Sequence, residues 1–194
     1  MKVAIVKYNA GNIQSLTFAL NRLGVTPILT NDPQELSSAD KVIFPGQGEA
    51  SSAMASLREN GLDSILKNLI QPFLGVCLGM QLMCEHTEEN DTNGLGIIPV
   101  SVKKFDNQAV KVPHMGWNNI HSMESSLMTG IEAGSYLYFV HSYYVPLSNY
   151  TIATCEYPEA FSAAIKKDNY YAIQPHPEKS AEAGMKLLEN FLKL

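Results

Sequence analysis

No apolar run in this 194-residue chain approaches the roughly 18–20 residues needed to cross a bilayer. The N-terminus has no secretory signal either: only Val3-Ala4-Ile5-Val6 separates Lys2 from Lys7, far short of an apolar core of about 7–15 residues. The chain is therefore expected to stay in the cytoplasm, with no membrane partner. Basic residues are in the minority, 14 Lys and Arg against 19 Asp and Glu, and they form no block or stripe. That argues against nucleic acid and for a small molecule or a protein as partner. Cysteine is scarce: Cys77, Cys84 and Cys155 are an odd set, unsuited to a disulfide framework. C-x-x-C and H-x-x-x-H spacings are missing, so neither a zinc site nor a cofactor is expected. What this leaves is a compact chain with at least one thiol available for chemistry. Neither repeat nor linker divides it, and residues 1–194 are read as a single domain.

Short apolar runs alternate with helical patterns in the first half. Lys2–Lys7, Thr26–Thr30, Lys41–Phe44 and Phe73–Val76 read as strands. Leu16, Leu20 and Leu23 recur at helical spacing before Gly24, a stop signal. Helices are also expected over Ser51–Asn60, Leu62–Ile70 and Leu78–His86, and a turn over Tyr8–Asn12. Strands separated by helices pair in parallel, because parallel pairing needs crossovers. The second half is different in texture. Leu95–Phe105, Lys111–Val112, Trp117–Ile120, Tyr136–His141, Thr151–Glu156, Ser162–Lys166 and Tyr170–Gln174 read as short strands, mixed or antiparallel, and Ala181–Leu194 as a closing helix. The fold class is α/β: a three-layer open sheet, with a parallel core and added antiparallel strands. In such sheets ligands bind at the carboxyl ends of the strands.

One strand-to-helix junction carries Gly75-Val76-Cys77-Leu78-Gly79. A nucleophile on so sharp a turn needs small residues two before and two after it, so that neighbouring backbone can close in. The helix start favours a thiolate, and the N–H of Leu78 is placed to receive an oxyanion. Read alone, the segment could be a packed strand end with two glycines. A thiol nucleophile also needs a base and an orienter for it. Of five histidines, His176 stands out in Gln174-Pro175-His176-Pro177-Glu178. Residues two apart in extended chain face the same way, so Glu178 could meet the His176 ring. Read alone, this could be a polar turn before the last helix.

Together these segments resemble the class I, triad-type glutamine amidotransferases. That family carries G-x-C-x-G-x-Q, here Gly75 to Gln81, and a later H-P-E, here His176 to Glu178. The likeness runs from Val3 to the last helix. Further marks are Ala10-Gly11-Asn12, Pro45-Gly46-Gln47-Gly48, Pro113-His114-Met115-Gly116-Trp117-Asn118 and Tyr138-Phe139-Val140-His141-Ser142-Tyr143. The segment from Pro113 to Asn118 matches the branch that serves histidine biosynthesis. The resemblance implies Cys77, His176 and Glu178 as the triad, and glutamine as substrate. It implies an oxyanion hole from Gly46, Gln47 and Leu78, and glutamine contacts from Gly48, Gln81, Ser142 and Tyr143. It also implies a (β/α)8-barrel cyclase subunit as partner, using the ammonia to convert a ribulosylamine-type precursor to imidazole glycerol phosphate and AICAR. His114, Met115, Gly116, Trp117 and Asn118 would face that partner. The chain departs from the usual pattern at Gln47, where Val is common, and at Pro175, where Phe is common. The competing readings are a glutaminase for another synthase, such as vitamin B6 synthesis, and a cysteine hydrolase or stress protein of the same fold.

Overall fold

The computed structural model describes residues 1–8, 13–122 and 124–194. The turn expected at Tyr8–Asn12, with its Ala10-Gly11-Asn12 mark, lies outside the described residues apart from Tyr8. The first half runs β1 (Val3–Val6), α1 (Ile13–Arg22), β2 (Ile28–Thr30), α2 (Pro33–Ser37), β3 (Lys41–Phe44), α3 (Ala50–Glu59), α4 (Leu62–Leu66), β4 (Phe73–Val76) and α5 (Leu78–Met83). The rest runs β5 (Cys84–Thr87), β6 (Thr92–Asn93), β7 (Ile98–Lys104), β8 (His114–Asn119), β9 (His121–Ser122), β10 (Tyr136–His141), β11 (Tyr143–Tyr144), β12 (Thr151–Glu156), β13 (Ala160–Lys167), β14 (Tyr170–Ile173) and α6 (Ala181–Lys193).

The main sheet has the order β2-β1-β3-β4-β14-β13-β12-β9. Its first five strands are parallel, and β13, β12 and β9 continue it antiparallel. All four residues of β1, β3, β4 and β14 are buried, as strands covered on both faces must be. Alternate residues feed opposite layers. Ala4 and Val6 join Leu36, Met54, Leu57, Leu62 and Leu66 on one face, under α2 to α4. Val3 and Ile5 join Leu16, Leu20, Leu187, Leu188 and Phe191 on the other, under α1 and α6. The parallel core and the three layers are thus those the sequence implies. Among the described residues, no helix is long and apolar enough to cross a membrane.

Several expectations need correction. The helix expected over Leu78–His86 ends at Met83, and Cys84 opens a strand. The segment 95–97 takes the helix-end carbonyls: Leu95 N–H donates to Leu82 O, Ile97 N–H to Met83 O and Gly96 N–H to Cys84 O. With those acceptors taken from outside, the chain leaves the helix one turn early. Leu62–Ile70 is helical only to Leu66, and Lys111–Val112 forms no strand. A short helix that the apolar pattern did not mark, α2, is started by Asp32, which accepts from Gln34 N–H and Glu35 N–H at 2.7 and 3.0 Å. Nor do all later strands join the main sheet. β8 and β10 form a two-stranded sheet, and β11-β7-β5-β6 a four-stranded one.

Candidate active site

β3, β4 and β14 are neighbours and parallel, so their carboxyl ends lie side by side. The segments that follow them carry Pro45–Gly48, Cys77 and Gln174–Glu178. Residues of these segments, with residues 140–143 from the end of β10 to the start of β11, bound a cavity of ≈ 420 Å³. Gly46, Gln47, Gly48, Cys77, Leu78, Gln81, Ser142, Tyr143 and His176 all line it. The sequence had placed these residues in one site, and the fold brings them together.

Cys77 is the single residue between β4 and α5, with φ 53° and ψ −109°. A positive φ is strained for any residue with a Cβ. Two hydrogen bonds hold it there: Cys77 N–H donates to Ile173 O at 2.8 Å, and Gln81 N–H to Cys77 O at 3.2 Å. The glycines beside it are required by space. A Cβ at Gly79 would sit 2.0 Å from Phe44 O, and one at Gly75 would sit 2.4 Å from Met83 Sδ. A Cβ at Gly46 would sit 2.5 Å from the Leu78 Cβ, so the loop after β3 rests directly on the elbow. Among the described residues, the backbone N–H groups of Gly46, Gln47 and Leu78 donate to no other backbone or side-chain group. They remain available to a ligand.

His176 is extended, with φ −94° and ψ 101°. Glu178, however, does not continue an extended chain. Pro177–Lys179 is a 3-10 turn, begun by the fixed φ of Pro177. The turn still brings the carboxylate to the ring: His176 Nδ1–H donates to Glu178 Oε1 at 2.8 Å. Both side chains are almost wholly enclosed, at 2% and 5% exposure. With Nδ1 as donor, the neutral ring presents a lone pair at Nε2. That Nε2 is buried without a hydrogen-bond partner, as is Glu178 Oε2. Burial opposes protonation of His176. The negative charge and acceptor capacity of Cys77, then the bond and charge of Glu178, outweigh it and push the ring up to about 10. Because Nε2 has no bond of ordinary geometry, the Cys77 effect acts chiefly as charge. Burial pushes the Cys84 and Cys155 thiols up to about 12.

Two residues at the site escaped the sequence reading. Glu89 lines the cavity from a 3-10 turn after β5, where a helix end had been expected. Its carboxylate accepts Ala50 N–H at 2.9 Å, and burial raises its pKa. Gln174 is fully buried and donates to Cys77 Sγ at 3.6 Å. Gln174 opens the noticed segment Gln174–Glu178 but was given no role there, and Glu89 stands eight residues past Gln81 in no pattern that marks a role. Of the segment expected to face a partner, Met115 and Trp117 project outward, at 61% and 52% exposure. His114 turns inward and stacks between Phe139 and Tyr157, and Asn118 is half-buried. Gly116 adopts φ 140°, in open space. Among the described residues, no cluster of three His, Cys, Asp or Glu could hold a metal ion.

A thiol on a strained elbow, beside a buried His–Glu pair and unengaged backbone donors, has the parts that acyl transfer requires. The sequence matches the family "Glutamine amidotransferase class-I" over residues 4–194. The chain belongs to that family and is a glutamine amidotransferase. It is 54% identical to imidazole glycerol phosphate synthase subunit HisH of Bacteroides fragilis (strain YCH46), covering 100% of both chains. It is 55% identical to the subunit of that name from Bacteroides thetaiotaomicron, again over 100% of each. For subunit HisH 2 of Legionella pneumophila (strain Philadelphia 1) the identity is 49%, over 99% of this chain and 98% of that one. Among solved structures, a glutamine amidotransferase superposes with TM-score 0.78 at 17% identity, covering 100% of this chain and 98% of the other. PurLQS from Thermotoga maritima gives 0.74 at 14%, covering 99% and 97%. At those identities the structures speak for the fold alone.

Proposed function

We propose that residues 1–194 act as one glutaminase domain of histidine biosynthesis, with Cys77 as nucleophile, His176 as base and Glu178 as its orienter. The observation that carries this is the Cys77 elbow opening into one cavity with the His176–Glu178 pair at 2.8 Å. The Cys77 thiolate attacks the side-chain amide carbon of glutamine. Charge moves onto the amide oxygen, which the N–H groups of Leu78 and of Gly46 or Gln47 receive. The carbon–nitrogen bond then breaks, and the departing nitrogen takes a proton from His176. Ammonia leaves and a thioester remains. Water gives a proton to His176 as it attacks the thioester, the carbon–sulfur bond breaks, and glutamate leaves with Cys77 again a thiolate. In balance, glutamine and water give glutamate and ammonia. Glu178 keeps Nε2 facing the sulfur throughout.

Glu89 suits the α-ammonium group of glutamine, since it places a carboxylate in the cavity wall. Gly48, Gln81, Ser142 and Tyr143 complete the walls around the substrate. The ammonia passes to a cyclase subunit with a (β/α)8 barrel, which makes imidazole glycerol phosphate and AICAR. A shielded route is needed because free ammonia mostly protonates at neutral pH and loses its nucleophilic pair. The exposed Met115 and Trp117 offer an apolar face to that subunit. The full-length likeness to HisH subunits favours this branch over a glutaminase for another synthase.

The test is Cys77→Ala in the assembled complex. Glutamine-dependent synthesis should vanish while ammonia-dependent synthesis persists. Cys84→Ala and Cys155→Ala should retain both. Glutamine turnover surviving in Cys77→Ala would refute the assignment.

A further inference from the structure

The Cys77 sulfur has a neighbour outside the triad. Gln174 is the first residue after β14, and its side chain is fully buried, at 0% exposure. A buried primary amide is costly unless its N–H and C=O groups find partners. Its oxygen is satisfied: Gln81 Nε2 donates to Gln174 Oε1 at 3.1 Å. Its nitrogen donates to Cys77 Sγ at 3.6 Å.

The amide cannot be turned the other way. Gln81 Nε2 also donates to Tyr143 O at 2.9 Å, and only an N–H group can meet a carbonyl. Gln81 Nε2 is thus the donor on that side, and the Gln174 atom facing it must be the oxygen. The nitrogen is left to face the sulfur. The Tyr143 carbonyl is fixed in turn. His141 Nδ1–H donates to it at 2.7 Å, which makes His141 Nε2 the acceptor in the neutral ring. His114 Nδ1–H donates there at 3.0 Å, and the amide of Asn118 donates to His114 Nε2 at 3.3 Å. Every bond from Asn118 to Gln174 therefore has one possible direction. The chain ends at Cys77.

We propose that Gln174 is a further catalytic residue, donating its side-chain N–H to the Cys77 sulfur and oriented for this by Gln81. A neutral thiol is a weak acceptor, and so is a thioester sulfur. A thiolate accepts a charge-assisted bond. The amide thus favours the states in which sulfur carries charge: the nucleophile before attack, and the leaving group when water cleaves the thioester. This rests on the reading of Cys77 as nucleophile.

The test uses the full chain and iodoacetamide, whose iodide the thiolate displaces. Alkylation of Cys77 is followed by mass spectrometry, with Cys84 and Cys155 resolved as separate peptides. Gln174→Met preserves the side-chain length and removes the donor. Gln174→Glu keeps the acceptor toward Gln81 and sets a carboxylate against the sulfur. Measured below the midpoint of the native alkylation–pH profile, loss of one bond to a charged group predicts alkylation slowed roughly tenfold in Gln174→Met, and further in Gln174→Glu, with the midpoint moved up by about one unit. Glutamate release by the assembled complex should show the same fall in kcat, with KM for glutamine within twofold. Melting temperatures identify the folded variants, and Gln174→Glu decides alone if Gln174→Met does not fold. A folded variant alkylated within twofold of the native rate would overturn the proposal, whatever its melting temperature. Native Cys77 that failed to react would overturn the triad itself.

Discussion

Replacing Gly79 with alanine sets two known effects against each other. Gly79 lies in α5 and its φ is not in the left-handed region, so alanine meets no backbone strain there. On helix propensity alone the change should stabilise by about 1 kcal/mol. Space decides otherwise. The new Cβ would sit 2.0 Å from Phe44 O and 3.0 Å from Phe44 C. Those are backbone atoms of the last residue of β3, which is held in register opposite Gly75 of β4. They cannot swing aside as a side chain would, so α5 must lift. Overpacking of this kind costs about 1–3 kcal/mol, and a backbone obstacle places it at the upper end. The net expectation is a loss of about 2 kcal/mol, or a melting temperature lower by roughly 4–8 °C for a chain of this size. Gly75→Ala should cost less, because its nearest obstacle is the movable Met83 Sδ at 2.4 Å. The functional effect of Gly79→Ala should exceed the structural one. Lifting α5 separates the Leu78 N–H from the loop Pro45–Gly48, which follows Phe44 directly. The assays are thermal unfolding and glutamate release by the assembled complex, where kcat should fall at least roughly tenfold. A melting temperature within 1 °C of native, a change of roughly 0.5 kcal/mol or less, would refute the close-approach argument.

Glu178→Gln should be less damaging to kcat than His176→Ala, since the amide can still accept from Nδ1–H but no longer supports an imidazolium; equal losses would mean that Glu178 does more than orient. Because His176 is pushed up to about 10 from 6.5, the unfolded chain sheds this proton first as pH rises. The stability margin of the native chain over His176→Ala should therefore be largest below pH 6.5 and shrink as pH rises to about 10, as measured by urea unfolding across that range. Gly48→Ala should lower kcat with little change in melting temperature. Its φ of +141° belongs to glycine, yet no atom within 4 Å would meet a Cβ, so the loop can relax into another shape at the expense of the oxyanion hole. Unchanged kcat in that variant would remove the loop from the mechanism.

The core strands were legible because each is a continuous apolar run with helices between, a pattern that admits little but a parallel sheet. Cys77 was legible because Gly75 and Gly79 stand where backbone must approach. Other features were hidden by contacts that local pattern does not contain. The early end of α5 depends on carbonyls captured by residues 95–97, far along the chain. The His176–Glu178 contact was foreseen, but through an extended chain; Pro177 instead opens a 3-10 turn that reaches the same carboxylate. Glu89 could not be placed without β5. Gln174 looked like the end of a strand, and only its burial against Gln81 and Cys77 marks it. Segments 117–120 and 136–141 were read as strands, but not as a separate two-stranded sheet that begins at His114. That pairing sets Met115 opposite Val140 and His114 opposite His141, which turns Met115 and Trp117 outward and His114, Phe139 and Leu137 into the core.

The same atoms account for the chemistry of the site and for its cost. Among the described residues, the buried side-chain N and O atoms without a partner are His176 Nε2 and Glu178 Oε2. Each such atom costs about 1–3 kcal/mol. Cys77, in the same cavity, holds a positive φ that costs a similar amount, about 1–3 kcal/mol. A fold tolerates this only where the surroundings allow no alternative. Here they do not. His176 N–H is fixed by Tyr138 O at 2.9 Å. The Ser180 hydroxyl ties the same two residues a second time, donating to His176 O at 2.6 Å and accepting Tyr138 N–H at 2.9 Å. Cys77 is tied to Ile173 on the neighbouring strand. The bond to Glu178 commits Nδ1, so on the proposed mechanism all proton exchange with the sulfur, the departing nitrogen and the water falls to Nε2. The hydrogen bonds around His176 keep the ring at the cavity wall, where that exchange takes place.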